Sequence, residues 1–358
     1  MSIKKTLVHL IFLVGFLFGG AASAQTQVVI FGDSLSDNGN LFADTGFPPF
    51  PYGLGQFPGR FSDGQVWVEY YAADLGVPLV DSAWGGSLTG PSVHTGLRNT
   101  NQLQFPTCAC PDVLLQVLTY VGAVQMGFIA PDPGAVYVIF AGANDFFDLL
   151  GFSQNMPTQA QSLATINAAI TNMTASDAAP PPTAPAGAVA LLSAIGAVNV
   201  VIVNLPDLGL TPSAVAGGPA TQAALTQLTD TYNSFLASAL NSLDAALPNV
   251  NIIQLDVAQF LRDAVANPAA FGFTNVTQPC FDGLAVCMNP AEFLFWDGVH
   301  PTTVAHRLLA TEFGTIIDAS IPPPLPPIIP VTVVDGGGGA TALWLLLLLP
   351  FFVVRRRW

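Results

Sequence analysis

The chain alternates short apolar runs with longer stretches of helical length. Five of the runs are rich in Val and Ile and almost continuously apolar, as strands covered on both faces must be. These predicted strands are Gln27–Phe31, Pro78–Asp81, Ala135–Ala141, Val198–Asn204 and Val250–Leu255. The predicted helices are Val66–Leu75, Val113–Gly127, Thr158–Met173, Ala186–Ile195, Thr221–Leu247 and Thr302–Ile317. This alternation predicts an α/β fold with a parallel sheet, whose functional site lies at the carboxyl ends of the strands.

The amino end of the chain has the features of an export signal. Two lysines at positions 4 and 5 precede the apolar run Leu7–Phe18, and the small residues Ala22-Ser23-Ala24 follow. A charged start, an apolar run too short to span a bilayer and an A-x-A cleavage site are typical of a signal peptide. We therefore predict a signal peptide over residues 1–24 and a mature chain that begins at Gln25.

The carboxyl end has a second unusual pattern. A Pro-rich linker over residues 319–335 leads into Gly336–Gly339, the apolar stretch Ala340–Val354 and the basic end Arg355–Arg357. An apolar stretch of this length rises about 22 Å as a helix, less than a hydrocarbon core of about 30 Å. We predict a short transmembrane helix that serves as a processed anchor, with its arginines on the cytoplasmic side.

Charge separates the body of the chain from its two ends. Five of the nine basic residues lie in the terminal segments, which leaves four arginines, no lysine and all 23 acidic residues in between, a formal net charge of −19. A body of this kind has no basic patch for phosphate backbones, so nucleic acid is excluded as a partner. Removal of both ends leaves about 310 residues, enough for one large α/β domain over residues 25–318.

The four cysteines indicate disulfides, because an even number of cysteines in an exported chain is typical of paired thiols. Three connectivities are possible for Cys108, Cys110, Cys280 and Cys287. We favour Cys280–Cys287, since a separation of two residues between Cys108 and Cys110 makes a strained ring. Zinc is the alternative, although no histidine lies near either pair.

The first candidate catalytic motif directly follows the first predicted strand. The sequence Gly32-Asp33-Ser34-Leu35-Ser36-Asp37-Asn38-Gly39 places Ser34 at the carboxyl end of that strand, after a glycine that allows a tight turn. Its hydroxyl would be exposed, and its backbone N–H would be free to face a substrate oxygen. The alternative is a polar turn that caps a helix.

A serine needs a base, and the base needs a group that orients it. The turn Asp297-Gly298-Val299-His300-Pro301 can direct an aspartate and a histidine toward one cleft. Of the other histidines in the mature chain, His94 lies in a Gly-rich loop and His306 lies within the last predicted helix. We therefore predict His300 as the base and Asp297 as its partner; the alternative is a helix-capping Asp beside an exposed His.

Two further motifs supply candidate donors for an oxyanion. Asn144 follows the third predicted strand, where its amide can donate a hydrogen bond to developing negative charge. Gly86, after the second strand, lets a backbone N–H approach a ligand closely. Alone, either motif is equally typical of an ordinary turn.

Together the four motifs resemble the GDSL, or SGNH, hydrolases over about residues 27–315. In that family the motifs carry Ser, Gly, Asn and His in this order, which here are Ser34, Gly86, Asn144 and, with its aspartate Asp297, His300. One position departs from the family pattern, because Asp81 stands where an asparagine often begins the second motif. The stretch Gly59–Gly64 also looks like one found in the longer, lipase-type members.

The resemblance implies a flavodoxin-like three-layer α/β/α sandwich with a central, mainly parallel five-stranded sheet. It also implies a secreted serine esterase or lipase that hydrolyses lipid or short-chain acyl esters through an acyl-enzyme, with no metal or cofactor. Ser34, Gly86 and Asn144 would form the oxyanion hole. The alternatives are a carbohydrate O-deacetylase, a lipid acyltransferase or a non-catalytic surface binding protein on this scaffold.

Two expectations remain more open. Phe146, Phe147, Leu149 and Leu150 either line an acyl pocket or belong to the core. Residues 336–358 resemble the bacterial GlyGly-CTERM sorting signal, which implies cleavage near the glycines by a rhomboid-like sorting protease and display or release at the cell surface. A plain membrane anchor is the alternative for this tail.

Overall fold

The computed structural model describes residues 25–153, 157–175 and 186–321. The predicted signal peptide over residues 1–24 and the predicted sorting segment over residues 336–358 lie outside the described residues, as does most of the predicted linker. The predicted domain end at residue 318 falls within the last helix, which continues to Ser320.

A central sheet of five parallel strands forms the middle layer. The strands are β1 (Val28–Gly32), β2 (Leu79–Asp81), β3 (Val136–Phe140), β4 (Asn199–Val203) and β5 (Asn251–Leu255), in the spatial order β2-β1-β3-β4-β5. Every residue of β1, β3 and β4 is buried, which explains their continuous apolar sequence. The predicted α/β sandwich with a five-stranded parallel sheet is confirmed.

Helices cover both faces of this sheet. They are α1 (Asn40–Thr45), α2 (Trp67–Leu75), α3 (Val113–Gln125), α4 (Ala143–Ser153), α5 (Gln159–Thr174), α6 (Ala188–Ala194), α7 (Pro212–Ala216), α8 (Pro219–Ala246), α9 (Val257–Ala266) and α10 (Thr303–Ser320). Short 3-10 helices lie at Tyr52–Gly55, Thr100–Leu103, Leu208–Leu210, Pro268–Phe271 and Pro290–Glu292. Successive residues of β1 point to opposite faces of the sheet. Val29 and Phe31 pack with α3 to α6 and α8 on one face, whereas Val28 and Ile30 pack with α2 and α10 on the other.

Several elements were not predicted from the sequence. A small parallel pair, β6 (Asn275–Pro279) and β7 (Phe293–Phe295), lies outside the central sheet. Helix α4 begins within the Asn-Asp motif, whose residue types favour a turn when taken alone. Strand β7 leads into the loop that carries Asp297 and His300, so the small sheet supports the candidate base.

The prediction of a transmembrane helix is wrong for the part of the chain that the structure describes, where no helix is long and apolar enough to cross a membrane. Even α8, with 28 residues, mixes buried leucines with exposed polar residues, as expected of a helix that packs on one face. The apolar stretch Ala340–Val354, on which the prediction rested, lies outside the described residues.

The structure pairs the cysteines by proximity in sequence. Cys280 is bonded to Cys287, as we expected. Cys108 is bonded to Cys110 despite their short separation, so all four cysteines are paired. Within residues 25–153, 157–175 and 186–321, no group of His, Cys, Asp or Glu is arranged to hold a metal ion.

Candidate active site

Ser34 stands two residues beyond the end of β1, and that end of the strand is tightly held. A Cβ on Gly32 would lie 2.6 Å from the carbonyl oxygen of Phe140 on β3, so only glycine fits there. The Gln116 side chain on α3 accepts from the Gly32 N–H at 2.9 Å and donates to its carbonyl at 3.0 Å. The turn that presents Ser34 is therefore fixed from both neighbouring elements.

Ser34, His300 and Asp297 form a continuous chain of hydrogen bonds. The Ser34 Oγ lies 2.8 Å from His300 Nε2, and His300 Nδ1 lies 2.7 Å from Asp297 Oδ2. Because an ionised carboxylate can only accept, Nδ1 carries the proton in the neutral ring and Nε2 is left to accept the serine proton. The sequence predicted these three residues, and the fold brings them together.

The Asp297 carboxylate accepts several hydrogen bonds. Its Oδ1 accepts the backbone N–H groups of Val299 at 2.9 Å and of His300 at 2.7 Å. Burial raises the pKa of Asp297, but the charge and hydrogen bonds of His300 outweigh burial and lower this pKa to about 2. The carboxylate is thus ionised at neutral pH and can stabilise a protonated imidazole.

Tyr52 is a member of the site that sequence reasoning missed. Its hydroxyl donates to Asp297 Oδ2 at 2.8 Å, the same oxygen that accepts from His300. Burial raises the pKa of Tyr52, so the hydroxyl keeps its proton and acts as a donor. The ring packs edge-on against Phe281 and Trp296. A tyrosine in a loop rich in Pro and Gly carries no sequence signal for this contact.

Gly86 and Asn144 lie beside Ser34 at the same cavity. Gly86 has φ of 78°, and a Cβ there would lie 2.3 Å from Asn101 Nδ2, so its conformation and surroundings both require glycine. Asn144 Nδ2 donates to the Ser87 carbonyl at 3.1 Å and to Asp33 Oδ2 at 3.3 Å. Within the described part of the chain, the backbone N–H groups of Ser34 and Gly86 make no hydrogen bond.

Buried carboxylates join the motifs behind the site. Asp37 accepts the N–H of Gly85 at 2.7 Å and that of Asn40 at 2.6 Å, which ties the serine motif to the glycine motif. Burial raises the pKa of Asp37 and that of Asp33 to about 6 in each case. Asp81, at the position that departs from the family pattern, accepts the N–H of Ala83 at 2.8 Å.

A cavity of about 200 Å³ opens at Ser34 and extends between the ends of the sheet strands and helices α9 and α10. Its walls away from the motifs are mostly apolar, and they include Phe140, Phe147, Phe260, Leu294 and Leu309. Of the four apolar residues after Asn144, Phe147 lines this cavity. Phe146 and Leu149 are buried in the core, and Leu150 packs against that core.

The remaining two histidines of the described chain lie apart from the hydrogen bonds that join Ser34, His300 and Asp297. His94 Nε2 lies 2.9 Å from Thr165 Oγ1 on α5. His306 is buried in α10, where Nδ1 accepts the backbone N–H of Trp67 at 3.2 Å. Neither contacts Ser34 in the way that His300 does.

Comparison with known proteins finds esterases and lipases among those similar to this chain. The family model described as GDSL-like Lipase/Acylhydrolase matches residues 28–313. Acetylajmalan esterase 2 of Rauvolfia serpentina is 28% identical over 356 residues, which cover 84% of this chain and 93% of that protein. Esterase EstA of Pseudomonas aeruginosa is 28% identical over 336 residues, which cover 84% of this chain but only 48% of that protein. The crystal structure of phospholipase A1 from Streptomyces albidoflavus NA297 has a TM-score of 0.40 and 16% identity, and the match covers 83% of this chain and 99% of that chain.

Since the family model matches well over half of its residues, the chain belongs to the GDSL-like lipase/acylhydrolase family and is a carboxylic-ester hydrolase.

Proposed function

We propose that the protein is an exported serine esterase or lipase that cleaves carboxylic esters through an acyl-enzyme on Ser34. The observation that carries this proposal is the chain of hydrogen bonds from Ser34 through His300 to Asp297, with distances of 2.8 and 2.7 Å. A nucleophile, a base and an orienting carboxylate in this order are the parts that acyl transfer needs.

In the first half of the reaction, His300 Nε2 accepts the Ser34 proton as Oγ attacks the ester carbonyl. Asp297 stabilises the imidazolium that results. Collapse of the tetrahedral intermediate breaks the bond to the alcohol, which leaves with the proton from His300. In the second half, His300 takes a proton from water, the hydroxide attacks the acyl-enzyme, and Ser34 recovers its proton as the acid departs.

The negative charge of the intermediate needs preorganised donors. The uncommitted backbone N–H groups of Ser34 and Gly86 suit this role, since both residues line the cavity that opens at the Ser34 hydroxyl. Asn144 adds its amide from the start of α4. Its bond to Asp33 at 3.3 Å is long enough to be exchanged for a shorter bond to an oxyanion.

The cavity favours an ester with an apolar acyl chain over an acetylated sugar. A volume of about 200 Å³ exceeds the roughly 150 Å³ apolar cavity that is known to hold benzene. Its phenylalanine and leucine walls gain free energy when they cover a hydrocarbon chain. A series of p-nitrophenyl esters of increasing chain length, compared with acetylated sugars, tests this preference.

We propose export on separate grounds, because the four paired cysteines are typical of an oxidising compartment. The expected mature chain begins at Gln25 and ends near the glycines at 336–339, where a sorting protease would act. Intact-mass analysis of protein purified from its host measures both ends. A mass that includes Trp358 would contradict removal of the tail.

The acyl-enzyme mechanism is tested with a fluorophosphonate, which labels an activated serine covalently. We expect the label on Ser34, and we expect Ser34→Ala to lose both labelling and ester hydrolysis while its melting temperature stays close to that of the wild type. Ser242→Ala, at an exposed position on α8, is the matched control and should keep both. A label on another serine, or activity in Ser34→Ala, would rule out this mechanism.

A further inference from the structure

His306 combines deep burial with a place on the wall of the active-site cavity. It lies in α10, six residues after the candidate base, and only 1% of its surface is exposed. It lines the same cavity as Ser34 and His300. The mechanism proposed above makes no use of it.

The hydrogen bonding of His306 fixes which ring nitrogen carries a proton. Nδ1 accepts the N–H of Trp67, in the first turn of α2, at 3.2 Å. A nitrogen that accepts has no hydrogen, so in the neutral ring Nε2 carries it. Burial, together with the nearby charge of His300, lowers the pKa of His306 to about 3, so the ring is neutral at physiological pH.

This Nε2–H group is an unused donor. It is buried, and it makes no hydrogen bond to any residue in the described ranges. Buried donors in folded proteins nearly always have a partner, because an unpaired one costs free energy. One nitrogen of the ring is committed to α2, and the other is left without a partner in a residue that lines the cavity.

The surrounding wall does not supply a partner. The neighbouring lining residues Phe260, Leu294, Ala305 and Leu309 have apolar side chains. Thr211, another polar residue of this wall, is already engaged: its hydroxyl donates to the Leu208 carbonyl at 2.8 Å and accepts the N–H of Ala214 at 3.3 Å. The His306 ring thus belongs to an otherwise apolar wall, where a single hydrogen bond to a ligand discriminates strongly between ligands.

We infer that His306 is a specificity-determining residue, whose Nε2–H binds an acceptor oxygen carried by the acyl chain of the substrate. The substrate class is then an ester of an oxygenated acid, with a hydroxyl, keto, ether or second ester oxygen on an otherwise apolar chain. We assign this oxygen to the acyl half because the alcohol must leave, and water must enter, while the acyl half stays in the cavity. This inference rests on the proposed esterase function.

The test is an oxygen scan of the acyl chain. The probes are p-nitrophenyl octanoate and four analogues in which an ether oxygen replaces the methylene at carbon 4, 5, 6 or 7. An ether oxygen only accepts hydrogen bonds, and from carbon 4 onward it is remote from the ester carbonyl. We expect at least one analogue to have a kcat/KM roughly tenfold above that of octanoate, because only that oxygen meets the His306 donor.

Two substitutions separate this role from the support that His306 gives to α2. In His306→Asn, the side-chain oxygen can still accept from Trp67, but the donor at the Nε2 position is lost, so the preference for the ether analogue should fall to about onefold. In His306→Gln, an amide N–H reaches toward the Nε2 position, and part of the preference should return. His94→Asn, the same change at a histidine outside this cavity, should keep the wild-type preference.

The outcomes are distinguishable. If the wild type hydrolyses octanoate but prefers no ether analogue, the inference about His306 is wrong and the esterase proposal stands. A preference that persists in His306→Asn also overturns the inference, and this comparison uses ratios of kcat/KM, which partial unfolding does not alter. If no ester is hydrolysed and Ser34 is not labelled, the proposed function fails, and this inference fails with it.

Discussion

Tyr52 donates a hydrogen bond of 2.8 Å to the carboxylate of Asp297, across 245 positions of sequence. The same Oδ2 atom accepts from His300, so one carboxylate oxygen is the acceptor for both the tyrosine and the histidine. The aromatic ring of Tyr52 is held in turn by Phe61, Phe281 and Trp296. The loop that carries Tyr52 is therefore part of the support for the proposed base.

Removal of this hydroxyl should weaken catalysis without unfolding the protein. In Tyr52→Phe the ring packing stays, but Asp297 loses one of its donors and orients the imidazole less firmly. We expect kcat to fall by about threefold to tenfold with little change in KM. Tyr70→Phe is the matched control, since its hydroxyl pairs with Thr303 at 2.7 Å and not with Asp297. Equal losses in both variants would contradict a role at the base.

Asn144→Ala should act mainly on the transition state. An oxyanion donor strengthens its bond only as charge develops on the carbonyl oxygen, so its loss lowers kcat by about a hundredfold to a thousandfold. KM should change little. Steady-state kinetics with a p-nitrophenyl ester measure both quantities. A raised KM with unchanged kcat would mean that Asn144 holds the substrate in its ground state.

The buried carboxylates predict how stability depends on pH. Burial and the nearby Asp37 raise the pKa of Asp81 well above its usual value, so the folded protein binds that proton more tightly than the unfolded chain does. Stability should therefore fall as pH rises from about 4, where unfolded carboxyls ionise, toward the pKa of the folded state. His306, whose pKa is lowered to about 3, opposes this trend between pH 4.5 and about pH 6.5. The contribution of Asp81 is therefore measured as the difference in melting temperature between the wild type and a variant at each pH.

Asp81→Asn removes the charge but keeps an oxygen that can accept from Ala83. It should raise the melting temperature at pH 8 and change it little at pH 4.5, so the pH dependence becomes flatter. Asp244→Asn, at an exposed position on α8, removes the same charge without burial and should leave the slope unchanged. If both variants flatten the slope equally, overall net charge and not the buried site explains it.

We expect the buried Gln116 to contribute more to stability than an exposed glutamine does. Its amide satisfies both backbone groups of Gly32 and also donates to the Ser87 hydroxyl at 3.0 Å. Gln116→Met keeps the shape but leaves the buried N–H of Gly32 unpaired, at a cost of about 1–3 kcal/mol, whereas the Gly32 carbonyl keeps the N–H of Trp84 at 3.1 Å. Urea denaturation should show this loss, whereas Gln227→Met, at an exposed position on α8, should change the free energy of unfolding by less than about 0.5 kcal/mol.

The sequence predicted those elements whose burial requires a clear pattern of apolar residues. All five strands of the central sheet, and the Ser, Gly and Asn motifs that follow three of them, could be located because parallel strands are apolar throughout and motifs follow where they end. The His motif was found from its Asp-x-x-His spacing before the helix α10. The contacts of Tyr52 and His306 could not be found in this way. Each depends on distant segments that meet only in the fold, such as the 239 positions between Trp67 and His306.

The order of the site residues along the chain sets when the protein can first act. The proposed nucleophile Ser34 follows β1 and the proposed base His300 precedes α10, with 266 positions between them. A growing polypeptide therefore acquires the proposed nucleophile early and the proposed base only when most of the matched domain has been made, so we expect every product that ends before His300 to be inactive. Ester turnover consequently reports that both halves of the chain have folded and met, and it can serve as a direct assay of completed refolding after denaturation.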